Sequence, residues 1–190
     1  MLRWFLRRQV AAFERAWKYD ASYLRRLIDV DPRAMLAFGK LQAIVGYRRD
    51  VPPAVYAAAG LAAVIEEDCG PCTQLGIDMA QQSGVDPALL RAIVMRDFAA
   101  MPEEVALAVR FTEATLGRSG EADGLREQVV RRFGQRGLIS LAFAMLAARM
   151  YPTLKYALGH GQACRRLTIG GKTLPVLRDA RQPTRAATAA

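Results

Sequence analysis

The chain has 190 residues, 52% of them apolar, enough for one domain with a real core. Its three cysteines are too few and too unevenly spaced for a secreted disulfide framework, so a reducing, cytoplasmic setting is expected. A formal charge of +9 comes mainly from arginine doublets dispersed along the chain, which reads as a solvated basic surface and not as a specific nucleic-acid site.

The first segment, residues 1–30, is expected to hold amphipathic helices. Leu6, Val10, Phe13 and Trp17 fall at helical spacing with arginines on the flanks. Packing on the bundle or on a partner subunit is the expectation for it, and seating of residues 1–19 on a membrane surface is the alternative. Arg7 and Arg8 interrupt the apolar stretch that a signal peptide would need.

Residues 31–117 read as a helical core. Asp31-Pro32 and Asp86-Pro87 each read as an N-cap followed by proline at the first helical position. Met35, Phe38, Leu41 and Val45 follow on one face and close at Gly46; Leu90, Ile93 and Val94 repeat the pattern after Asp86. The paired Val-Asp-Pro starts, at Val30 and Val85, hint at duplication.

Further helices are expected from Pro53, Pro71, Pro102 and Pro152, with stops at Gly117 and Gly134. The apolar run from Val51 to Ile65 is too short for a membrane span, which takes about 20 residues, and carries two prolines. Val105, Ala108, Val109, Thr112 and Leu116 form a stripe, and the segment 137–148 is apolar nearly all round, as for a central buried helix. Helices continue over 123–166. Leu167-Thr168-Ile169, Gly170-Gly171 and Lys172-Thr173-Leu174 form the one hairpin candidate, and a partly disordered tail is expected from 171 to 190. The sum is an all-α bundle of about eight to ten short helices in a single domain over 1–170.

Cys69-Gly70-Pro71-Cys72 is the one place where residue types and spacing specify a chemistry. With two residues between them, the sulfurs can close a reducible disulfide, and a thiolate attack by one can be resolved by the other. With Pro71 as the first helical residue, Cys72 lies in the first turn, where free amides and the helix dipole favour a thiolate. Cys69 lies just outside, beside Glu66, Glu67 and Asp68, which oppose its ionisation. Cys72 is therefore expected to react and Cys69 to resolve, although the order in thioredoxin is the reverse. Glu66 and Glu67 are equal candidates for proton shuttling, against the plainer reading of solvent-facing acids at a helix end. A metal centre is not expected: zinc wants four ligands, and the remaining histidine and cysteine are distant.

A thioredoxin places this tetrapeptide after a strand, whereas here the preceding residues are alanine-rich and helical. The order of helices over residues 31–116, with Ala62-Ala63-Val64-Ile65-Glu66-Glu67-Asp68-Cys69-Gly70-Pro71-Cys72-Thr73-Gln74-Leu75 opening a new helix, resembles the alkylhydroperoxidase D-like / carboxymuconolactone decarboxylase family. That resemblance implies an all-helical homo-oligomer whose CxxC members reduce peroxides or exchange thiols, with the second cysteine reacting. Peroxidase members carry a histidine four residues after the second cysteine, where this chain has Gly76. They also carry a glutamate about three turns upstream of the first cysteine, and no acid lies between Val51 and Ile65. A proton relay here is missing or rebuilt.

His160 is the only imidazole, spaced four from Tyr156 and from Cys164. On a continuous helix the three would share a face and lie over the CxxC in place of the family histidine; a surface or capping role is the plainer reading, and Gly159 and Gly161 either admit close packing or break the helix. Cys164 reads as a small core residue, with Arg165 and Arg166 as the neighbours that would activate it.

The expected function is a thiol peroxidase or disulfide oxidoreductase. It would act on a peroxide or disulfide, be re-reduced by an external dithiol, and need no cofactor. The alternatives are a decarboxylase-type enzyme using Glu66, Glu67 or His160 on a small organic acid, and a non-catalytic redox-sensing module.

Overall fold

The computed structural model describes residues 1–161 and 166–175. Among the described residues nine α-helices precede one hairpin: α1 Leu2–Trp17, α2 Ser22–Val30, α3 Pro32–Gly39, α4 Gln42–Gly46, α5 Pro53–Glu66, α6 Gly70–Gln82, α7 Pro87–Met95, α8 Glu103–Leu116, α9 Ala122–Ala157, β1 Arg166–Ile169 and β2 Lys172–Pro175. The chain is an all-α bundle carrying one small antiparallel ribbon.

The caps act as their residue types dictate. Asp31 accepts a hydrogen bond from the Arg33 amide (2.9 Å) and Asp86 from the Ala88 amide (2.8 Å), each with proline at the first helical position. The apolar stripe from Met35 to Val45 is not one helix: the chain breaks at Lys40 and Leu41 into α3 and α4, and neither helix has a fully buried residue. Met35 and Phe38 instead lie against the side of the N-terminal helices.

Two apolar clusters result. The larger is built on α5, whose Val55, Ala58, Ala59 and Ala63 have no exposed surface, together with α7, α8, part of α9 and the hairpin residues Leu167 and Ile169. Alanine allows this close approach because it fills the core with little side-chain entropy to lose. The smaller cluster joins Leu6, Val10, Tyr19, Tyr23, Leu24 and Ile28 to Leu75, Tyr151 and Leu154.

The central buried helix is α5 and not the segment 137–148, where Ile139 (42% exposed) and Leu146 (50%) face outward. Period decides this: α5 is small and apolar on every face, whereas α9 buries only the side bearing Gly137, Leu141, Ala144 and Met145. By length and apolarity α9 alone among the described helices would suffice to cross a bilayer. In this fold it packs against α4, α5 and α8.

Gly134 interrupts α9 with φ 71° and ψ 179°, a conformation essentially reserved for glycine. Pro152, by contrast, starts no helix and lies inside α9. Gly134→Ala should cost about 1–3 kcal/mol, read as a lower urea midpoint with an unchanged slope.

The hairpin forms as its sequence predicts, with Leu167 opposite Leu174 and a Gly170-Gly171 turn at φ 55° and 75°. A domain boundary at 170 falls inside this turn, and β2 continues the ribbon to 175. The Gln74 side chain donates to the Thr168 carbonyl (2.9 Å) and accepts from its amide (2.8 Å), which ties the ribbon to α6. Cys164 and Arg165, the side chain of Arg166, and the tail beyond 175 lie outside the described residues.

Candidate redox site

The CxxC lies where the two apolar clusters meet. Cys72 packs against the larger cluster and Leu75, one turn later on α6, against the smaller. Helix α5 stops at Glu66, Asp68 turns the chain with φ 51°, and α6 opens with Cys69 as its N-cap and Pro71 in its first turn. Cys72 is therefore the third helical residue, inside the turn whose amides lack intrahelical partners.

Cys69 and Cys72 are joined as a disulfide with Cα atoms 5.3 Å apart, an ordinary separation for such a bond. Their exposure differs. Cys69 has no exposed surface, whereas Cys72 is partly open to solvent. Below Cys69, the buried Thr73 hydroxyl donates to the Cys69 carbonyl (3.0 Å) and closes the first turn.

Two side chains that the sequence did not single out complete the site. Tyr19, in the turn between α1 and α2, places its Oη 3.7 Å from Cys72 Sγ. Lys155, in the last turn of α9 and only 2% exposed, donates from Nζ to the same Oη at 3.2 Å and lies over the Tyr19 and Tyr23 rings. An ammonium has only protons to give, so Tyr19 accepts from Lys155. The Tyr19 O–H is thus left to point at Cys72.

Burial pushes the Tyr19 phenol up to about 12, so it remains a donor across the neutral range. Burial lowers the Lys155 ammonium from its ordinary value, partly opposed by the Asp20 carboxylate. For Asp20 burial works against ionisation, but the Ser22 hydrogen bonds and the charges of Lys155 and Arg25 hold its carboxyl below the usual range. Lys155 and Tyr19 therefore form a line of donors that ends on the sulfur of the partly exposed Cys72. Such a line favours a thiolate there.

The sequence candidates are distributed around this line. Helix α9 ends at Ala157 and Gly159 takes φ 77°, so Tyr156 and His160 do not share one continuous helix, and Cys164 lies outside the described residues. His160 Nδ1 instead lies 2.9 Å from Ser22 Oγ, which donates to Asp20, and the His160 amide donates to the Lys155 carbonyl. This places the imidazole beside the helix end that carries Lys155. Tyr156 does reach the CxxC turn: its hydroxyl donates to the Asp68 carbonyl at 2.8 Å.

Glu66 and Glu67 line a cleft of about 320 Å³ with Arg96, Glu113 and Arg149, and Glu67 is ion-paired to Arg149. Neither cysteine is in that lining. Gly76, at the place of the family histidine, faces Leu61, whose Cδ2 would lie 3.3 Å from an added Cβ. Among the described residues no three of His, Cys, Asp and Glu converge as metal ligands would.

A sequence reading had no ready signal for Tyr19 and Lys155, which lie 53 and 83 residues from Cys72. The nearest hint is a lone lysine in an apolar stretch, Met150 to Ala157, of a chain whose basic residues are mostly arginine. Comparison with known proteins found no match: no family model fits the chain, and no curated protein or solved structure is similar to it.

Proposed function

We propose that this protein is a dithiol oxidoreductase of the alkylhydroperoxidase type, with Cys72 as the attacking sulfur and Cys69 as the resolving one. The observation that carries the reading is the arrangement of a partly exposed and a buried cysteine at a helix N-terminus, with the Tyr19 hydroxyl 3.7 Å from the sulfur of the former.

In the reduced protein the Cys72 thiolate attacks a hydroperoxide oxygen. The O–O bond breaks, an alcohol or water leaves once protonated, and Cys72 becomes a sulfenic acid. The Cys69 thiol then displaces the sulfenic oxygen, forming the S–S bond and releasing water. An external dithiol returns both sulfurs to the reduced state. Tyr19 and Lys155 take the place of the absent family relay: they stabilise the thiolate before attack and are placed to give the departing oxygen a proton. Thiol chemistry is favoured over carbon-acid chemistry because Glu67 is neutralised by Arg149.

The test is oxidation of the reduced protein by hydrogen peroxide and by an organic hydroperoxide, with disulfide formation followed by mass. An ordinary cysteine is a few per cent thiolate at neutral pH, and one lowered to ~7 is about half ionised. Oxidation should therefore be at least ~10-fold faster than that of free cysteine and end in one intramolecular disulfide. A rate equal to that of free cysteine would remove the peroxidase reading.

A further inference from the structure

The packed face of α1 leaves its opposite face unpartnered among the described residues. Leu6 and Val10 are buried, while Leu2 (44% exposed), Trp4 (65%) and Phe5 (53%) are open. The helical repeat puts Trp4, Phe5, Arg8, Ala12 and Arg15 on one outer face, with Arg8 over the Trp4 ring at 5.6 Å.

The charges on this face are of one sign. The single acid of α1, Glu14, turns away to accept from the Ala21 amide and to pair with Arg25. Arg7, which pairs with Asp29, lies at the edge between this face and the packed one. Arg8 and Arg15 thus share this face with an exposed tryptophan and phenylalanine, and no carboxylate of α1 lies on it.

We propose that α1 seats this protein on an anionic lipid surface, with Trp4 and Phe5 entering the headgroup boundary and Arg8 and Arg15 facing lipid phosphates. Amphipathic helices with aromatic and basic residues on the outer face bind in this manner. A second copy is the poorer occupant, since two-fold pairing through this face would set basic residues against basic residues with no carboxylate of the face to offset them. An acidic lipid surface supplies the missing negative charge. This inference is independent of the thiol chemistry.

The experiment is flotation of the full chain with vesicles of phosphatidylcholine alone and of phosphatidylcholine with phosphatidylserine, at low and high salt. Binding is expected to the anionic vesicles only, to weaken with salt, and to be accompanied by a blue shift of Trp4 emission. Trp4→Ser with Phe5→Ser should weaken it by about 10-fold or more, and each of Arg8→Gln and Arg15→Gln by about fivefold. These residues are exposed, and far-UV circular dichroism of the variants verifies the fold. No flotation with anionic vesicles would overturn the proposal. So would binding that ignores Trp4→Ser with Phe5→Ser, which assigns it to overall charge, or conversion of an oligomer to a monomer by the same pair, which makes the face a contact between copies.

Discussion

Cys72→Ser is expected to abolish reaction of the reduced protein with hydroperoxides and with a disulfide probe, on the order of a thousandfold below the native rate, since a serine hydroxyl is not ionised at neutral pH. Cys69→Ser should behave differently. Cys72 still reacts once, because it keeps its surface exposure, its place in the first turn of α6 and the Tyr19 hydroxyl. Without a resolving thiol the product then stays as a sulfenic acid, or as a mixed disulfide with the probe, and turnover stops. Mass after one exposure to oxidant separates the two variants: an added oxygen or probe adduct on Cys69→Ser, and nothing on Cys72→Ser. The physical basis of the asymmetry is that Cys69 has no exposed surface, so an oxidant meets Cys72 first. Reactivity confined to Cys69 would reverse the assigned roles.

What the sequence made legible, and what it did not, follows from the range of the signals. Local chemistry was readable. The Asp-Pro caps at residues 31 and 86, the stripe of α8, the break at Gly134, the Gly170-Gly171 hairpin and the opening of α6 at the CxxC all depend on neighbours a few residues apart. Periodicity misled where two helices offered the same apolar content. Segment 137–148 looked buried all round, but α5, made mostly of small residues, is the one that could be enclosed on every side. The stripe through Met35 and Val45 kept its period across a break that the pattern alone did not mark. The site was half legible, because its sulfurs are adjacent in sequence while its proton donors come from the α1–α2 turn and the end of α9. His160 drew attention as the lone imidazole, yet the groups aligned on Cys72 are Tyr19 and Lys155, whose ordinary residue types announce no chemistry until the smaller cluster buries them.

Lys155→Met should slow thiol chemistry without weakening the fold. Removing a cation that donates to Tyr19 withdraws support for the Cys72 thiolate, so the thiol pKa should rise by about 1 unit and the reaction rate at neutral pH fall by up to about 10-fold. Tyr19→Phe, which deletes the donor at 3.7 Å, should move the thiol in the same direction while leaving Lys155 charged. Ultraviolet titration of the reduced protein at the thiolate band reads both shifts, with Cys72→Ser as the blank. Stability should move the other way. An ammonium that is 2% exposed carries a desolvation cost that its contacts with Tyr19, Tyr23 and Asp20 only partly offset. Methionine of similar length removes that cost, so urea unfolding of Lys155→Met at neutral pH should show stability equal to the native protein or about 1 kcal/mol above it. The pH dependence has a fixed sign. Burial lowers the folded-state pKa of Lys155 below 10.5, so between the two values the unfolded chain binds more protons, and native stability rises with pH through that window. Lys155→Met lacks this rise, and its stability advantage should shrink as the pH approaches 10.5. A residue kept for packing alone would give the opposite pair of results: a loss of stability on substitution and an unmoved thiol pKa.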